Sequence, residues 1–231
     1  MGGVMKEEAT RIIQAAKKDG QKTLSEYQSK KILAAYGIPV AREELVEELE
    51  QAKLAAASIG YPVVLKFCSQ QVTHKTEKGL LEVGIRDEDD LVEAFERLRL
   101  AAQGIEGGYL VQEMVKGARE LVIGMIRDPQ FGPCVMFGLG GIFTEILRDV
   151  SFRVAPIEKR DALEMMEEIK GKKILEAVRG MPPVDRDLLA QSLVALGDLG
   201  MEQEDIQEID VNPMIVRGDK PIAVDALVVL K

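Results

Sequence analysis

Acidic and amide side chains alternate near the C-terminus of this chain. Glu208, Asp210 and Asn212 are spaced two residues apart in EIDVNP, and side chains at that spacing share one face of an extended strand. Asp225 interrupts a second apolar segment, IAVDALVV, which a short turn would bring antiparallel to the first. Oxygen ligands from two adjacent strands suit Mg²⁺, which takes one or two carboxylates plus substrate phosphates. The same alternation is also typical of the solvated face of an edge strand, and both interpretations stay open here.

A single lysine interrupts a short apolar strand. Lys66 lies inside YPVVLKFC, where burying an ammonium costs free energy unless an anion pairs with it. It is either an edge-strand lysine whose ammonium reaches solvent or a point charge directed at a phosphate. Lys75 and Gly79 in the loop that follows favour the phosphate interpretation. The chain contains neither G-x-x-x-x-G-K-[ST] nor G-x-G-x-x-G, which argues against a P-loop or a Rossmann site.

His74 is the one histidine of the chain. A loop histidine is most often an ordinary surface residue. Its neutral imidazole is also a nucleophile near neutral pH and can accept a phosphoryl group. A glycine-rich stretch at 138–141 is either a simple turn or a source of backbone N–H groups for an anion.

The elements that must position these side chains follow from periodicity and capping signals. The pattern T-L-S-E from Thr23 to Glu26 is a capping box, which predicts a helix that Gly37 ends. Segments 119–127 and 133–137 predict a hairpin, because D-P-Q-F-G separates two apolar stretches. Two further strands are predicted at 206–216 and 222–229. The order of helices and strands indicates an α+β protein with two lobes of mixed or antiparallel sheet, since it lacks the regular βαβ alternation of doubly wound folds.

Charge and composition restrict the partners. The formal net charge is −9, and an acidic surface repels phosphate backbones, so nucleic-acid binding is not expected. No apolar run approaches the ~20 residues of a membrane span, and the first residues show no secretory signal. Cys68 and Cys134 lie in apolar segments and are expected to be reduced core residues. We therefore expect a cytoplasmic protein that does not act on membranes.

Several longer stretches carry a family resemblance from about Leu24 to the C-terminus. They read LSEYQSKKILAAYGIPV, YPVVLKF, THKTEKG, RELVIGMIRDPQFGPCVMFGLGGIFTEILRDVSFRVAP, EIDVNP and VDAL. Together they resemble the ATP-grasp domain of the β subunits of ADP-forming acetate–CoA ligases. The resemblance implies an ATP-grasp fold with lobes at 23–110 and 111–231 and the nucleotide between them. Residues 1–22 precede it as a helical extension.

The resemblance also implies a role for each candidate residue. Lys66 would bind the ATP or ADP phosphates, with Lys75 and Gly79 beside it. Gln112, Glu113, Met114 and Val115 would form the link between lobes that contacts adenine, with Glu120 near the nucleotide. Asp210, Asn212 and Asp225 would hold Mg²⁺. His74 falls on the family's phosphohistidine loop, although Leu80 stands where the family more often has a second glycine.

The implied reaction converts acyl-CoA, ADP and phosphate into acid, ATP and CoA. A histidine of a CoA-binding α subunit would pass the phosphoryl group toward this chain, and His74 would relay it to ADP. The resemblance suggests an α₂β₂ assembly with CoA bound on the partner. An alternative is an ATP-grasp carboxylate–amine ligase that forms an acyl phosphate directly and does not need His74. A nucleotide-binding module that has lost its chemistry is a third possibility.

Overall fold

The computed structural model describes residues 2–70, 79–141 and 149–231. By contacts, the chain divides into two compact units. Unit 1 comprises residues 1–24, 28–40 and 115–231, and unit 2 comprises residues 25–27 and 41–114. These units differ from the predicted lobes chiefly in residues 28–40, which belong to unit 1. The backbone explains this difference, because the Ala223 N–H donates to the Pro39 carbonyl at 2.9 Å.

Unit 1 is built on a six-stranded sheet in the order β10-β8-β5-β6-β7, with β9 paired to β8. Its strands are β5 Glu120–Asp128, β6 Gly132–Leu139, β7 Val150–Val154, β8 Ile206–Arg217, β9 Lys220–Ala223 and β10 Leu227–Leu230. Its helices are α1 Gly2–Lys18, α5 Lys159–Glu168, the 3₁₀ helix Lys172–Leu175 and α6 Arg186–Glu202, and most of α2 Glu26–Ala35 belongs here too. Helices α5 and α6 pack on one face of the sheet. They do not cover the opposite face.

Unit 2 contains a four-stranded sheet in the order β1-β4-β2-β3. Its elements are β1 Glu43–Val46, α3 Leu49–Ile59, β2 Val63–Cys68, β3 Leu81–Ile85, α4 Glu88–Ala101 and β4 Gly108–Glu113. Helices α3 and α4 bury one face of this sheet around Leu65, Phe95 and Val111. All strand pairs among the described residues of both sheets are antiparallel. The predicted hairpin at 119–137 is confirmed as the antiparallel pair β5 and β6.

The first helix is part of the core of unit 1. Its residues Ala9, Ile13 and Ala16 recur at helical spacing and are buried in the main apolar cluster of this unit. At its surface, Lys6 pairs with Glu202 at 2.6 Å. Helix α1 therefore contributes to the stability of unit 1.

Replacing one buried side chain of α1 tests this contribution. We expect Ile13→Ala to lower the free energy of unfolding by about 2–4 kcal/mol, because the change leaves a cavity in a packed core. Gln14→Ala, on the exposed side of the same helix turn, should change it by less than about 0.5 kcal/mol. Urea titrations of both variants measure the difference. Equal effects would show that α1 does not depend on this packing.

The predicted capping box at the start of the second helix is wrong. Helix α2 begins at Glu26, and Thr23 forms an isolated antiparallel bridge with Val229 instead of capping a helix. The Leu24 N–H donates to the Val228 carbonyl at 2.9 Å. Residues 23 and 24 therefore run beside β10, and the Glu26 carboxylate contacts Lys66.

The second of the two predicted C-terminal strands is interrupted. It pairs with β8 first as β9 and then as β10, and residues 224–226 lie between these two strands. This break places Asp225 in an irregular segment, where its carboxylate accepts the Ala226 N–H at 2.9 Å.

Two simple expectations can be compared with the described residues. Cys68 and Cys134 are free thiols; Cys68 is buried, whereas Cys134 is only half-buried on β6. No helix among the described residues is long and apolar enough to cross a membrane.

Candidate functional site

The alternating polar side chains of EIDVNP lie on an interior strand of unit 1. Strand β8 is flanked by β10 and β5, so the edge-strand interpretation is wrong. Ile209 and Val211 are buried in the core, and the alternation of the strand turns Glu208, Asp210 and Asn212 to the opposite face. Asp210 is paired in register with Leu227 of β10, so Asp225 lies two residues before this partner. The sheet thus gathers polar oxygens on the face that α5 and α6 leave uncovered.

The Asp210 carboxyl is partly buried and is influenced by the charges of two other acidic residues. Burial, and after it the negative charges of Glu208 and Asp225, together raise the pKa of this carboxyl from 3.8 to about 6. A group of carboxylates whose mutual repulsion disfavours ionisation is an environment that a cation would stabilise.

The donor set has the chemistry of a magnesium site. Asp210 and Asp225 offer carboxylate oxygens and Asn212 offers an amide oxygen, all of them hard ligands. In the parts of the chain that the structure describes, no three His, Cys, Asp or Glu side chains come close enough to hold a metal alone. Two carboxylates with one amide still fit Mg²⁺, because this ion usually keeps water and substrate phosphate oxygens in its shell. Zn²⁺ is usually held by at least one His nitrogen or Cys sulfur, and this group offers neither.

Glu120 and the glycine-rich stretch lie beside the same strand. The Gly141 N–H donates to Asn212 Oδ1 at 3.5 Å, and the Gly140 N–H donates to the Glu120 carbonyl at 2.8 Å. Gly141 has a φ of 64°, and a Cβ at this position would overlap the Glu120 carboxylate. The structure therefore brings Glu120, Gly141 and Asn212 together, and the positive φ of Gly141 favours glycine at this position.

Lys66 occupies the interior of the unit 2 sheet. Strand β2 lies between β4 and β3, so the interpretation as an edge-strand lysine is wrong. Leu65 and Phe67 point into the core under the helices, which turns Lys66 to the other face, beside its register partner Leu110. Its ammonium Nζ lies 2.6 Å from the Glu26 carboxylate. The buried charge is therefore paired, as desolvation requires.

The segment predicted to contact adenine ends strand β4. Gln112 is in register with Val64 and thus shares the sheet face of Lys66. The Glu113 carboxylate accepts the Arg42 backbone N–H at 3.0 Å, and the Met114 N–H donates to the Pro62 carbonyl at 3.3 Å. These contacts hold the end of β4 firmly within unit 2. The division between the units falls directly after Met114, so Val115 already belongs to unit 1.

The remaining predicted residues follow β2 in the sequence. Gly79 is exposed with a φ of 66°. His74 and Lys75 lie outside the described residues, as do residues 142–148, which follow the glycine-rich stretch.

Sequence reasoning missed Glu26 as a partner of the predicted phosphate lysine. A glutamate directly before an apolar-periodic run can serve a distant cation as well as a helix cap. The local pattern alone favours the cap. Only the fold shows that the side chain contacts a residue 40 positions away.

Comparisons with known proteins agree with this geometry. The ATP-grasp domain family matches residues 15–230. The subunit beta of acetate–CoA ligase [ADP-forming] I from Pyrococcus furiosus is 45% identical over 227 residues, which are 96% of this chain and 97% of that subunit. Acetate–CoA ligase [ADP-forming] I from Archaeoglobus fulgidus is 41% identical over 98% of this chain, which spans only 34% of that protein.

A solved relative adds information about bound molecules. Acetyl-coenzyme A synthetase 1 of Ca. Korarchaeum cryptofilum, in complex with coenzyme A, Ca-AMPCP and HgCl⁺, superposes with a TM-score of 0.93. That chain is 42% identical, and the match covers 96% of this chain and 99% of that one. Another structure of the same protein holds coenzyme A and Mg-AMPPCP, with a phosphohistidine segment pointing towards the nucleotide binding site. The present chain therefore belongs to the ATP-grasp family and, within it, to the β subunits of ADP-forming acetate–CoA ligases.

Proposed function

We propose that this chain is the nucleotide-binding β subunit of an ADP-forming acyl-CoA synthetase, an acid–thiol ligase. The enzyme interconverts acyl-CoA, ADP and phosphate with the free acid, ATP and CoA. The observation that carries the proposal is the 45% identity to a named β subunit over nearly the whole of both chains. The oxygen ligands on β8 and after β9 supply the matching chemistry.

The chain's own residues divide the nucleotide chemistry between them. Asp210, Asn212 and Asp225 would hold Mg²⁺, and Lys66 would contact the nucleotide phosphates. When bound, Mg²⁺ neutralises charge on the phosphate oxygens during phosphoryl transfer. The carboxylates fix its position, and the lysine adds a second positive charge. Glu120, held against Gly141, borders the Asn212 end of this group.

The base-recognition and relay residues follow the family resemblance. Gln112, Glu113, Met114 and Val115 would contact adenine, the Glu113 side chain keeping Arg42 as its partner. His74 would accept the phosphoryl group and pass it to ADP, with Lys75 and Gly79 beside it. A neutral imidazole is a competent phosphoryl acceptor. One solved structure of a relative contains a phosphohistidine segment that points towards the nucleotide binding site.

A CoA-binding α subunit completes the enzyme in this proposal. Relatives named subunit beta match this chain at 97% and 100% of their own length, which supports a separate partner chain. The Archaeoglobus protein, of which this chain spans 34%, supports the same division, with the other functions in the remainder of a longer polypeptide. The proposed assembly is α₂β₂ and cytoplasmic. The two cysteines of this chain are free thiols, which agrees with a reducing compartment.

Isosteric replacement of a proposed metal ligand tests the magnesium assignment. We expect Asp225→Asn to raise the Kd for Mg-ADP by about 10- to 100-fold, because a carboxylate charge at the ion is lost while the side-chain shape is kept. Asn212→Ala should act in the same direction. Titration calorimetry with and without Mg²⁺ measures both, and Glu204→Gln, an exposed acid on the same unit, is the matched control. A wild-type Kd for Mg-ADP in both Asp225→Asn and Asn212→Ala would refute this metal site.

The reaction itself is tested in the assembled enzyme. The chain is combined with a CoA-binding α subunit, and ATP formation is measured from acetyl-CoA, ADP and phosphate. We expect formation to require both chains and Mg²⁺. Formation of an amide from ATP, acid and an amine by this chain alone would instead indicate a carboxylate–amine ligase.

A further inference from the structure

Unit 2 contains a buried ion pair, and one of its members, Glu26, has no role in the function described so far. The Lys66 ammonium and the Glu26 carboxylate are 2.6 Å apart, and the two side chains are only 7% and 1% exposed. Glu26 comes from the first turn of α2, whereas Lys66 lies in the interior strand β2. Two elements far apart in sequence are thus joined by oppositely charged side chains.

Burying this ion pair costs free energy of desolvation. The free-energy cost of removing two charges from water can exceed the gain from their mutual attraction. An apolar pair of similar size often stabilises a fold at least as well. Surface ion pairs of this unit, such as Arg97 with Glu82 at 2.8 Å, carry no such cost. A buried pair at a proposed phosphate lysine therefore points to a role in function.

Helix α2 is suited to present an ionised carboxylate. Glu26 is its first helical residue, and the positive end of the helix dipole favours a negative charge there. Lysine has a long flexible stem, so a fixed carboxylate at its tip restricts where the ammonium can go. An ammonium carries three N–H donors, so a bond to Glu26 is compatible with donation to a phosphate oxygen.

We propose that Glu26 is a positioning residue that holds the Lys66 ammonium in place for the phosphates of the nucleotide. The inference rests on the proposed function, in which Lys66 contacts those phosphates. Glu26 itself does not touch the nucleotide in this arrangement; it acts through the lysine. Protein kinases use a similar principle, in which a glutamate on a helix orients the phosphate-binding lysine of a strand.

A double-mutant cycle on the full chain tests the proposal. The Kd for Mg-ADP is measured by calorimetry for wild type, Glu26→Gln, Lys66→Met and the double variant. We expect Glu26→Gln to raise the Kd about tenfold and Lys66→Met to raise it at least as much. The double variant should match Lys66→Met within about twofold, since residues that act as a unit are not additive. Glu82→Gln, which removes a partly exposed acid from another ion pair in the same unit, should leave the Kd unchanged.

A second readout separates positioning from general damage to the fold. In the enzyme assembled with its α subunit, Glu26→Gln should raise KM for ADP and leave KM for acetyl-CoA unchanged. A folded Glu26→Gln chain with the wild-type Kd overturns the proposal. So does a double variant that binds about tenfold more weakly than Lys66→Met, because Glu26 would then act independently of the lysine.

The Lys66→Met variant distinguishes a failure of the proposed function from a failure of the positioning role alone. Wild-type affinity in Lys66→Met refutes the proposed role of Lys66, and with it the positioning role, whatever Glu26→Gln does. Weakened binding in Lys66→Met with an unaffected Glu26→Gln refutes positioning alone. If Glu26→Gln does not fold, Glu26→Asp replaces it in the cycle, because it keeps the charge but draws the carboxylate back by one methylene. An intermediate Kd then supports the proposal, and a wild-type Kd contradicts it.

Discussion

A His74→Ala chain, assembled with its α subunit, is expected to lose ATP formation by at least about a thousandfold, the scale seen when a group that acts as an essential nucleophile is removed. Its Kd for Mg-ADP should stay within about threefold of wild type. The two effects separate because the proposed phosphate and metal contacts come from Lys66 and from the acidic residues of β8 and the segment after β9.

The composition of the chain makes this experiment easy to interpret. His74 is its single histidine, so any phosphohistidine formed on the chain must be at that position. Phosphohistidine is labile in acid and stable in base, unlike phosphoserine or phosphothreonine. Incubation with γ-labelled ATP and Mg²⁺ followed by acid and base treatment therefore reports on one side chain.

The labelling is done with and without the α subunit, for wild type, His74→Ala and the exposed control Gln70→Ala. Label on wild type and on the control, but not on His74→Ala, supports the relay. Label that requires the α subunit means that the partner completes the site. Full ATP formation by His74→Ala would refute the relay and favour direct formation of an acyl phosphate.

The part of the site on β8 could be predicted from sequence because it depends on local rules. The two-residue alternation in EIDVNP separates Ile209 and Val211 from Asp210 and Asn212, and the fold keeps that separation. The adjacency of Asp225 was also predictable, because the turn between the strands is short. The break at 224–226, which places Asp225 between β9 and β10, left no comparable signal.

The environment of Lys66 could not be predicted in the same way. The apolar sequence around it fits both an edge strand and an interior strand, and only the pairing of β2 with β3 and β4 decides between them. Its partner Glu26 lies 40 residues away, in a pattern that local rules assign to a helix cap. Long-range pairing of charges has no sequence period that a single chain can reveal.

Arg119 illustrates a further limit of sequence reasoning. It is buried and donates to the carbonyl oxygens of Ile174, Glu176 and Gly218 at 2.7–3.3 Å, and burial lowers its pKa. It thereby ties the 3₁₀ helix and the β8–β9 turn to the start of β5. Because its acceptors are backbone carbonyls, no pattern of side chains could have indicated this role.

Asp210→Asn is expected to change stability and function in opposite directions. Turnover of the assembled enzyme should fall by about a hundredfold or more, because a charged ligand of the proposed ion is lost. The metal-free chain should become more stable at pH 7 by about 1–2 kcal/mol. The gain follows from removing a partly buried carboxylate, since burial and, after it, repulsion by Glu208 and Asp225 raise the pKa of Asp210 to about 6.

The pH dependence of this gain has a definite sign. Asp210 ionises near pH 3.8 when exposed to solvent and near pH 6 in the folded chain. Between these values the folded state binds more protons, so the contribution of this group to stability falls as the pH rises and stays low above pH 6. The difference between Asp210→Asn and wild type should therefore be small near pH 4 and reach its full size near pH 7.

Urea unfolding at pH 4, 5, 6 and 7 in EDTA measures this difference, with Glu204→Gln as the exposed control that should show no such trend. Adding Mg²⁺ and ADP should reverse the order at pH 7, because ligand binding stabilises wild type by mass action while the variant binds poorly. A variant that is less stable than wild type at every pH would show that the Asp210 carboxylate supports the fold. A metal-free gain in stability together with lost turnover would show that this buried charge is kept for function at the expense of the fold.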